Sequence, residues 1–126
     1  MIGIAINTLL KASSTLSGLV GLNIFPFAIE EDSVLPAIVY RVGTTIPEYT
    51  KDGLCGETHT VEVLSFSMTY INCLTITDAV RNAMELKTGL VSNISIKSIR
   101  IDRIDSDFDF DTNVFNSKIT FTIKTN

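Results

Sequence analysis

The stretch 60-TVEVLSFSMTYINCLTITDAVRNAMEL-86 joins an extended segment to an amphipathic helix, and this junction decides the fold. The apolar residues of its second half recur at i, i+3, i+4, i+7 and i+8, which places them on one stripe of a helix. They are Ile76, Ala79, Val80, Ala83 and Met84. A basic residue and a glycine then follow, as is usual at a helix C-terminus. The pattern predicts a helix that packs on a sheet and ends near Lys87 and Gly89.

The first half of the stretch alternates with period two, as a strand does. His59, Val61 and Val63 occupy odd-numbered positions. The next apolar residues occupy even-numbered positions: Leu64, Phe66 and Met68. Such a switch means either a β-bulge or burial on both faces of the strand. We predict a bulge near Val63.

Similar patterns lie on both sides of this junction. An N-terminal helix running to about Ala12 is indicated by an apolar stripe of Ile2, Ala5, Ile6 and Leu9. A serine-rich break, the turn LSGLVG and an extended stretch around Ile24, Phe25 and Phe27 follow. Pro36 then opens a strand that carries Ile38, Tyr40 and Val42.

The C-terminal region is rich in strands. Its apolar positions are Ile94 and Ile96, then Ile99 and Ile101 after a second parity switch, and finally Phe115, Ile119, Phe121 and Ile123. The order helix, strands, helix, strands lacks a βαβ rhythm and a solenoid repeat. We therefore expect an α+β protein with one domain over residues 1–126, in which two helices pack on one face of an antiparallel or mixed sheet.

Residues 43–56 are polar and turn-prone, without apolar periodicity, and predict a long mobile loop. Loops of this length are often functional or disordered. Two interpretations stay open: the loop orders against a neighbouring subunit, or it is ordinary surface disorder. In the first, the self-assembly residues are Ile46, Pro47, Glu48, Tyr49, Lys51 and Asp52, with Ile46 and Tyr49 as the apolar anchors.

An acidic row is the most unusual local feature of the sequence. Asp105, Asp107, Asp109 and Asp111 alternate with Ser106, Phe108 and Phe110. An EF-hand that began at Asp105 would need glycine where Phe110 stands and glutamate where Asn116 stands, so a calcium loop fits poorly. The simpler interpretation is a strand or hairpin with phenylalanines inward and aspartates outward. The alternative is an interface in which the row meets cations of a neighbouring subunit, for which Lys51, Arg81, Arg100 and Arg103 are candidates.

Composition and motifs argue against several classes of function. With 45% hydrophobic residues the chain can build a core, and its net charge of −4 without a basic run disfavours direct nucleic-acid binding. No run approaches the length of a membrane span. Cys55 and Cys73 are too few for a disulfide framework, and His59 lies in no catalytic motif. We expect no enzyme, no catalytic, cofactor-binding or metal residues, and no cofactor.

Nearly the whole chain resembles the tail completion, or tail terminator, family of long-tailed phages and prophages. The resemblance runs through the LSGLVG turn, then IFPFAIEEDSVLPAIVYRVGTTIPEY, then the opening stretch quoted above and a final β pair. Its most telling residues are Leu35, Pro36, Ile38, Val39 and Tyr40, followed by Val61, Val63, Phe66, Ala79, Val80 and Arg81.

The resemblance implies a structural subunit of the virion tail that is assembled in the host bacterial cytoplasm. Such subunits form a homo-oligomeric ring, usually a hexamer, that caps the tail tube and ends its polymerisation. The implied partners are the tail tube protein and the head-tail connector protein. A head-tail connector (neck) protein and a small calcium-binding or ligand-binding α+β domain are the alternative functions.

Overall fold

A computed structural model describes residues 2–21, 23–27, 35–51 and 53–125. Three helices and six strands occur in them. The helices are α1 (Ile2–Ala12), α2 (Ser14–Val20) and α3 (Tyr70–Met84). The strands are β1 (Ile24–Pro26), β2 (Ala37–Thr50), β3 (Gly53–Ser67), β4 (Gly89–Val91), β5 (Ile94–Asp109) and β6 (Val114–Thr125).

The strands form one mixed sheet in the order β1-β2-β3-β6-β5-β4. β1 is parallel to β2, and every other neighbouring pair is antiparallel. The predicted α+β class and mixed sheet are therefore confirmed. The described helices number three rather than two, because part of the predicted LSGLVG turn is α2.

Local capping explains why α2 forms. The Ser13 side chain accepts a hydrogen bond from the Leu16 backbone N–H (3.3 Å), which gives α2 its own start directly after α1. Gly21 ends the helix at a φ of 60°, which glycine adopts at little cost. The sequence of this region holds both signals, a serine cap and a terminal glycine, around only seven helical residues.

The core lies between the helices and the sheet. Apolar residues from all three helices and from β1, β2, β3, β5 and β6 form one buried cluster. Its largest fully buried side chains include Phe121, Ile6, Leu10, Ile38, Ile76 and Ile119. The stripe predicted for α3 is confirmed, with Ile76, Ala79, Val80 and Met84 buried.

The end predicted for α3 is wrong by several residues. The helix begins after Thr69, whose hydroxyl accepts from the Asn72 N–H (3.4 Å), and it ends at Met84. Leu86 has a φ of 59°, and its N–H donates to the Ile99 carbonyl of β5 (3.1 Å). This bond to the sheet ends the helix before Lys87 and Gly89 are reached.

The bulge predicted near Val63 is also wrong. β3 pairs with β6 without a register shift from Glu57 to Ser67, and the shift lies in β2, between Val42 and Thr44. The inward face of β3 continues from Val61 and Val63 to Ser65 and Ser67, all buried. Small serines fit there because the start of α3 passes closely over them: the Cys73 thiol donates to the Ser65 carbonyl (3.7 Å), and the Thr69 N–H donates to the Ser67 hydroxyl (3.3 Å).

The second parity switch, in β5, is caused by a bulge. Ile96 and Ile99 are both buried although they are three residues apart, because the register with β6 shifts between Ile96 and Ser98. A further shift lies between Ile101 and Arg103. Similar sequence patterns thus arise from small buried serines on the inward face of β3 and from bulges in β5.

The mobile loop predicted for residues 43–56 is instead the end of a β-hairpin. β2 runs to Thr50 and β3 starts at Gly53, and the two strands pair up to Thr50 and Gly53. β6 pairs with β3 only from Glu57 onward, so residues 46–56 project beyond the end of β6 as a two-stranded hairpin, which we call the arm. Both faces of this arm are largely exposed, so no apolar periodicity marks its strands.

Candidate assembly surfaces

A buried histidine fixes the base of the arm to the sheet. His59 is only 3% exposed, and its two ring nitrogens contact hydroxyl groups: Nδ1 that of Thr45 (2.9 Å) and Nε2 that of Thr125 (3.1 Å). These bonds join β2, β3 and β6. Burial lowers the pKa of His59, although the nearby Glu57 carboxylate opposes that shift. The hydrogen-bond partners are two threonines, so the geometry supports a structural histidine.

The arm carries exposed apolar side chains on both faces. Tyr49 is 72% exposed, and Ile46 is exposed as well. They are three residues apart in one strand, so they point to opposite faces. Pro47, Glu48 and Lys51 are also exposed, whereas Asp52 lies outside the described residues. Of the six predicted self-assembly residues, five therefore lie on one projecting hairpin.

Side-chain contacts tie the two strands together within the arm and at its base. The Thr58 hydroxyl donates to the Glu48 carboxylate (2.9 Å), and the Cys55 thiol donates to the Glu48 carbonyl (3.3 Å). Together with the ladder between β2 and β3, these bonds give the arm a defined shape before any partner is present.

The acidic row lies at the opposite end of the sheet. Asp105, Asp107 and Asp109 alternate along the exposed end of β5, and Asp111 lies in the turn before β6. The Asp109 carboxylate accepts from the Asp111 N–H (2.9 Å), and this bond lowers the pKa of Asp109. Asp105 pairs with Arg103 (3.2 Å). The interpretation as a hairpin with outward aspartates is confirmed.

The predicted inward orientation holds for only one of the two phenylalanines. Phe108 is half-buried, but Phe110 is 84% exposed. Phe108 lies against Phe110 (5.0 Å between ring centroids) and Phe115 (4.6 Å), and Phe115 lies against Tyr70 (5.6 Å). The side chain of Phe110 therefore joins a row of rings at the surface of the protein.

Two apolar side chains near the start of α3 are exposed as well. Ile71 is 73% exposed, and Leu74, one turn after Tyr70, is exposed too. We call the four rings of Tyr70, Phe108, Phe110 and Phe115 the aromatic patch. Sequence reasoning missed the patch and the exposed apolar residues of α3, although Ile71 and Leu74 fall outside the apolar stripe that starts at Ile76.

Two of the four candidate cations already have partners within the chain. Arg81 pairs with Glu85 (2.8 Å), and Arg103 pairs with Asp105. Arg100 and Lys51 are exposed, Lys51 at the end of the arm.

A cleft beside the N-terminal helices and the arrangement of potential metal-binding side chains bear on possible chemistry in the described residues. A cleft of ≈ 410 Å³ between the N-terminal helices and α3 is lined by Ser13, Thr15, Asn82 and Lys87 among others, and its described lining holds neither a carboxylate nor a histidine. In the described part of the chain, no group of three or more His, Cys, Asp or Glu side chains is placed to hold a metal ion.

A charge network crosses the sheet face away from the helices. Glu62 of β3 accepts from Arg41 of β2 (3.2 Å) and pairs with Lys118 of β6 (3.1 Å). The hydrogen bond from Arg41 is the main reason that the pKa of Glu62 is lowered. These pairs connect three central strands and lie between the arm and the acidic row.

Comparison with known proteins adds two likenesses. The model of the family described as tail completion protein gp17 matches residues 4–126. The fold is similar to that of a chain in the structure titled "Virion of native gene transfer agent (GTA) particle", with a TM-score of 0.76, 14% identity, and coverage of 95% of this chain and 90% of that chain. None of the curated proteins matches the sequence. No helix among the described residues is long and apolar enough to cross a membrane.

Proposed function

Because the chain belongs to the family of tail completion protein gp17, we propose that it is the subunit of a ring that caps a phage-type tail tube. Family membership makes the chain a structural protein of the virion tail. The finer proposal is that residues 1–126 act as one domain, that six copies close into the ring, and that the ring ends tube polymerisation and joins the tail to the head-side connector.

The arm is the observation that best supports ring formation. An ordered hairpin projects past β6 and exposes Ile46 and Tyr49, which the chain's own fold leaves uncovered. Exposed apolar side chains on a projecting element are typical of contact surfaces. A ring closes through heterologous contacts, in which each subunit offers one surface to the next and receives another. The arm supplies one such surface.

We assign self-assembly to Ile46, Pro47, Glu48, Tyr49, Lys51 and Asp52 of the arm region. The acidic row serves the same ring by meeting cations of a neighbour, which fixes the register of the contact. Charge complementarity of this kind contributes to orientation and association rate more than to affinity. The assembly is a structural task and requires neither catalysis nor a cofactor.

A tube-capping assay tests the proposal. Purified tail tube protein is polymerised with increasing amounts of this protein, and tube lengths and tube ends are measured by electron microscopy. We expect shorter tubes with a ring at one end. Tubes of unchanged length and bare ends at every ratio, together with binding to the connector alone, would instead identify a neck protein.

A further inference from the structure

Both outer sides of the sheet are open over most of their length. β1 pairs with β2 only along Ile38–Tyr40, and β4 pairs with β5 only along Ile94–Ile96. Just past β4, the Leu86 N–H donates to the Ile99 carbonyl. Among the described residues, no strand pairs with the outer side of β2 over residues 41–49 or with that of β5 over residues 100–109. The backbone N–H and C=O groups of such an edge can bind a further strand.

Both open edges also carry features that hinder pairing with an arbitrary strand. The registers of β2 and β5 shift at bulges, and Pro47 has no N–H to donate. The aspartates of the acidic row add charge to the β5 edge. Such features protect edge strands from unspecific association. A strand that pairs here must therefore match the side chains of the edge.

The two open strands run in opposite directions. β2 is antiparallel to β3, β3 to β6 and β6 to β5, so β2 is antiparallel to β5. A second copy set beside the first in the same orientation therefore brings its β2 antiparallel to the β5 of the first. Each copy then gives one edge and receives the other, which is the heterologous type of contact that a ring requires.

The short strands β1 and β4 decide how far the second copy is displaced along the strands. β1 lies beside the part of β2 that pairs with residues 63–65 of β3, and β4 lies at the arm end of β5. Without displacement, β1 of the second copy would lie where β5 of the first needs its partner. A displacement of about six residues, roughly 20 Å at about 3.4 Å per residue, moves β1 past Asp109. Because this number is even, the side chains of both copies keep to the same faces.

At this displacement, opposite charges meet on the face away from the helices. The pairings with β3 and β6 show which residues come level across the contact. Arg41 of the second copy comes level with Asp109 of the first, and Glu48 comes level with Arg103. The opposite strand direction would instead set Arg41 against the arginines and Glu48 against the aspartates. Charge complementarity therefore favours the antiparallel arrangement.

The ion pairs within one chain leave charge available for this contact. Arg41 and Lys118 share the single carboxylate of Glu62, so one positive charge is in excess there. Asp109 accepts a hydrogen bond from the Asp111 N–H, and the ion pairs of the described residues do not include it. Arg41 and Asp109 thus each carry charge that a neighbouring copy can balance.

Side chains on the helix face of the sheet match as well. Cross-strand pairs of apolar residues or of hydroxyl groups stabilise a sheet. Ile46 does not match, because it comes level with Asp105 on the other face. The residues that come level on the helix face are Val42 and Phe108, Thr45 and Ser106, and Pro47 and Ile104.

We propose that β2 of one copy pairs antiparallel with β5 of the next copy, displaced by about six residues, so that the sheets of all copies join around the ring. This inference rests on the proposed ring and identifies the contact between its subunits. The strand of the arm that carries Ile46 and Tyr49 then lies along the middle of the neighbour's β5.

A disulfide between copies tests the register. Thr44 comes level with Asp107 on the face away from the helices, and both are exposed. Within one chain, β3 and β6 separate the two positions, so an internal disulfide is excluded. The test variant carries Thr44→Cys and Asp107→Cys together with Cys55→Ser, which removes the exposed native thiol. Mild oxidation of its rings should give covalent multimers of 13.8 kDa units, up to the full ring, which a reductant reverses.

The matched control carries Thr44→Cys and Ile71→Cys in the same Cys55→Ser background. Ile71 is 73% exposed but lies on α3, away from the β5 edge, so the control rings should form no covalent multimers. Rings of the test variant that stay uncross-linked, or multimers that appear equally in the control, would overturn this inference and leave the ring itself standing. Absence of rings from the unaltered chain, with and without tubes, would overturn the proposed function. If the cysteine changes themselves prevent ring formation, the charge exchange described next decides.

Charge exchange at one level of the contact provides an independent check. Glu48→Arg alone and Arg103→Glu alone should each raise the concentration at which rings appear by about tenfold, since like charges then face each other. A chain with both changes should recover most of the loss. Both positions are exposed, so circular dichroism should be unchanged. Losses that add in the double variant would contradict the pairing of Glu48 with Arg103 and, with it, the proposed register.

Discussion

The two halves of the β2–β3 hairpin have the same strand pairing and opposite surroundings. In the sheet half, β6 pairs with β3 and α3 lies over it, so Val61 and Val63 are fully buried. In the arm, residues 46–56, β6 no longer pairs with β3, and Tyr49 and Ile46 are exposed. The sheet half therefore stabilises the fold, whereas the exposed residues of the arm are available for contact with a partner. Changes in the sheet half should therefore lower the free energy of unfolding more than changes in the arm or in the acidic row.

The largest loss of stability should follow from a cavity in the sheet half. Phe121 is fully buried opposite Val61 in the sheet, so Phe121→Ala should lower the free energy of unfolding by about 3–5 kcal/mol. Urea denaturation followed by circular dichroism measures it. A loss below about 1 kcal/mol would show that this part of the sheet tolerates cavities and is not the stable half.

The junction between the halves should respond to pH. The pKa of His59 is lowered in the folded protein, so the unfolded chain binds a proton more readily. The contribution to stability is complete above the unfolded pKa of about 6.5 and is lost as pH falls through the lower pKa of the folded state. His59→Gln should remove this part of the pH dependence of the unfolding free energy between about pH 7 and pH 5. Identical pH profiles for both proteins would contradict it.

Loss of the arm end should leave the fold intact. Deleting residues 47–52 removes no buried apolar side chain among the described residues, so we expect a folded monomer that forms no ring. Circular dichroism and light scattering measure the two properties separately. A chain that fails to fold would show that the arm belongs to the stable half, and a deletion variant that still forms rings would remove its assembly role.

The smallest effect on stability is expected for the acidic row. Asp107→Asn and Asp109→Asn change exposed carboxylates, and exposed charges contribute little to folding. The melting temperature should stay the same, while ring formation becomes weaker and less sensitive to salt. A lower melting temperature with unchanged assembly would remove the interface proposal for these residues.

Sequence reasoning succeeded where one face of an element is buried. The stripe of α3 and the alternation of Ile119, Phe121 and Ile123 in β6 each have one apolar face, and each was predicted correctly. Periodicity failed for residues 43–56 because both faces of the arm are exposed. It was ambiguous in β3, where Ser65 and Ser67 are buried beneath α3 and the apolar Phe66 faces the other side.

The candidate surfaces were predicted less completely than the fold. Polar composition pointed to the arm and the alternating aspartates to the acidic row, but neither pattern shows which surface meets which. The aromatic patch combines Tyr70 of α3 with Phe108 of β5 and Phe115 of β6, and the register of β5 with β6 is what places Phe108 opposite Phe115. Local patterns do not contain that register.

The mass of the protein in solution tests the central claim most directly. Light scattering coupled to size exclusion, across a concentration series and with or without tail tube protein, measures it. The account predicts a closed ring with a mass of six times 13.8 kDa, formed by the chain alone at high concentration or at the ends of tubes. A monomer at every concentration, indifferent to tubes, would contradict it.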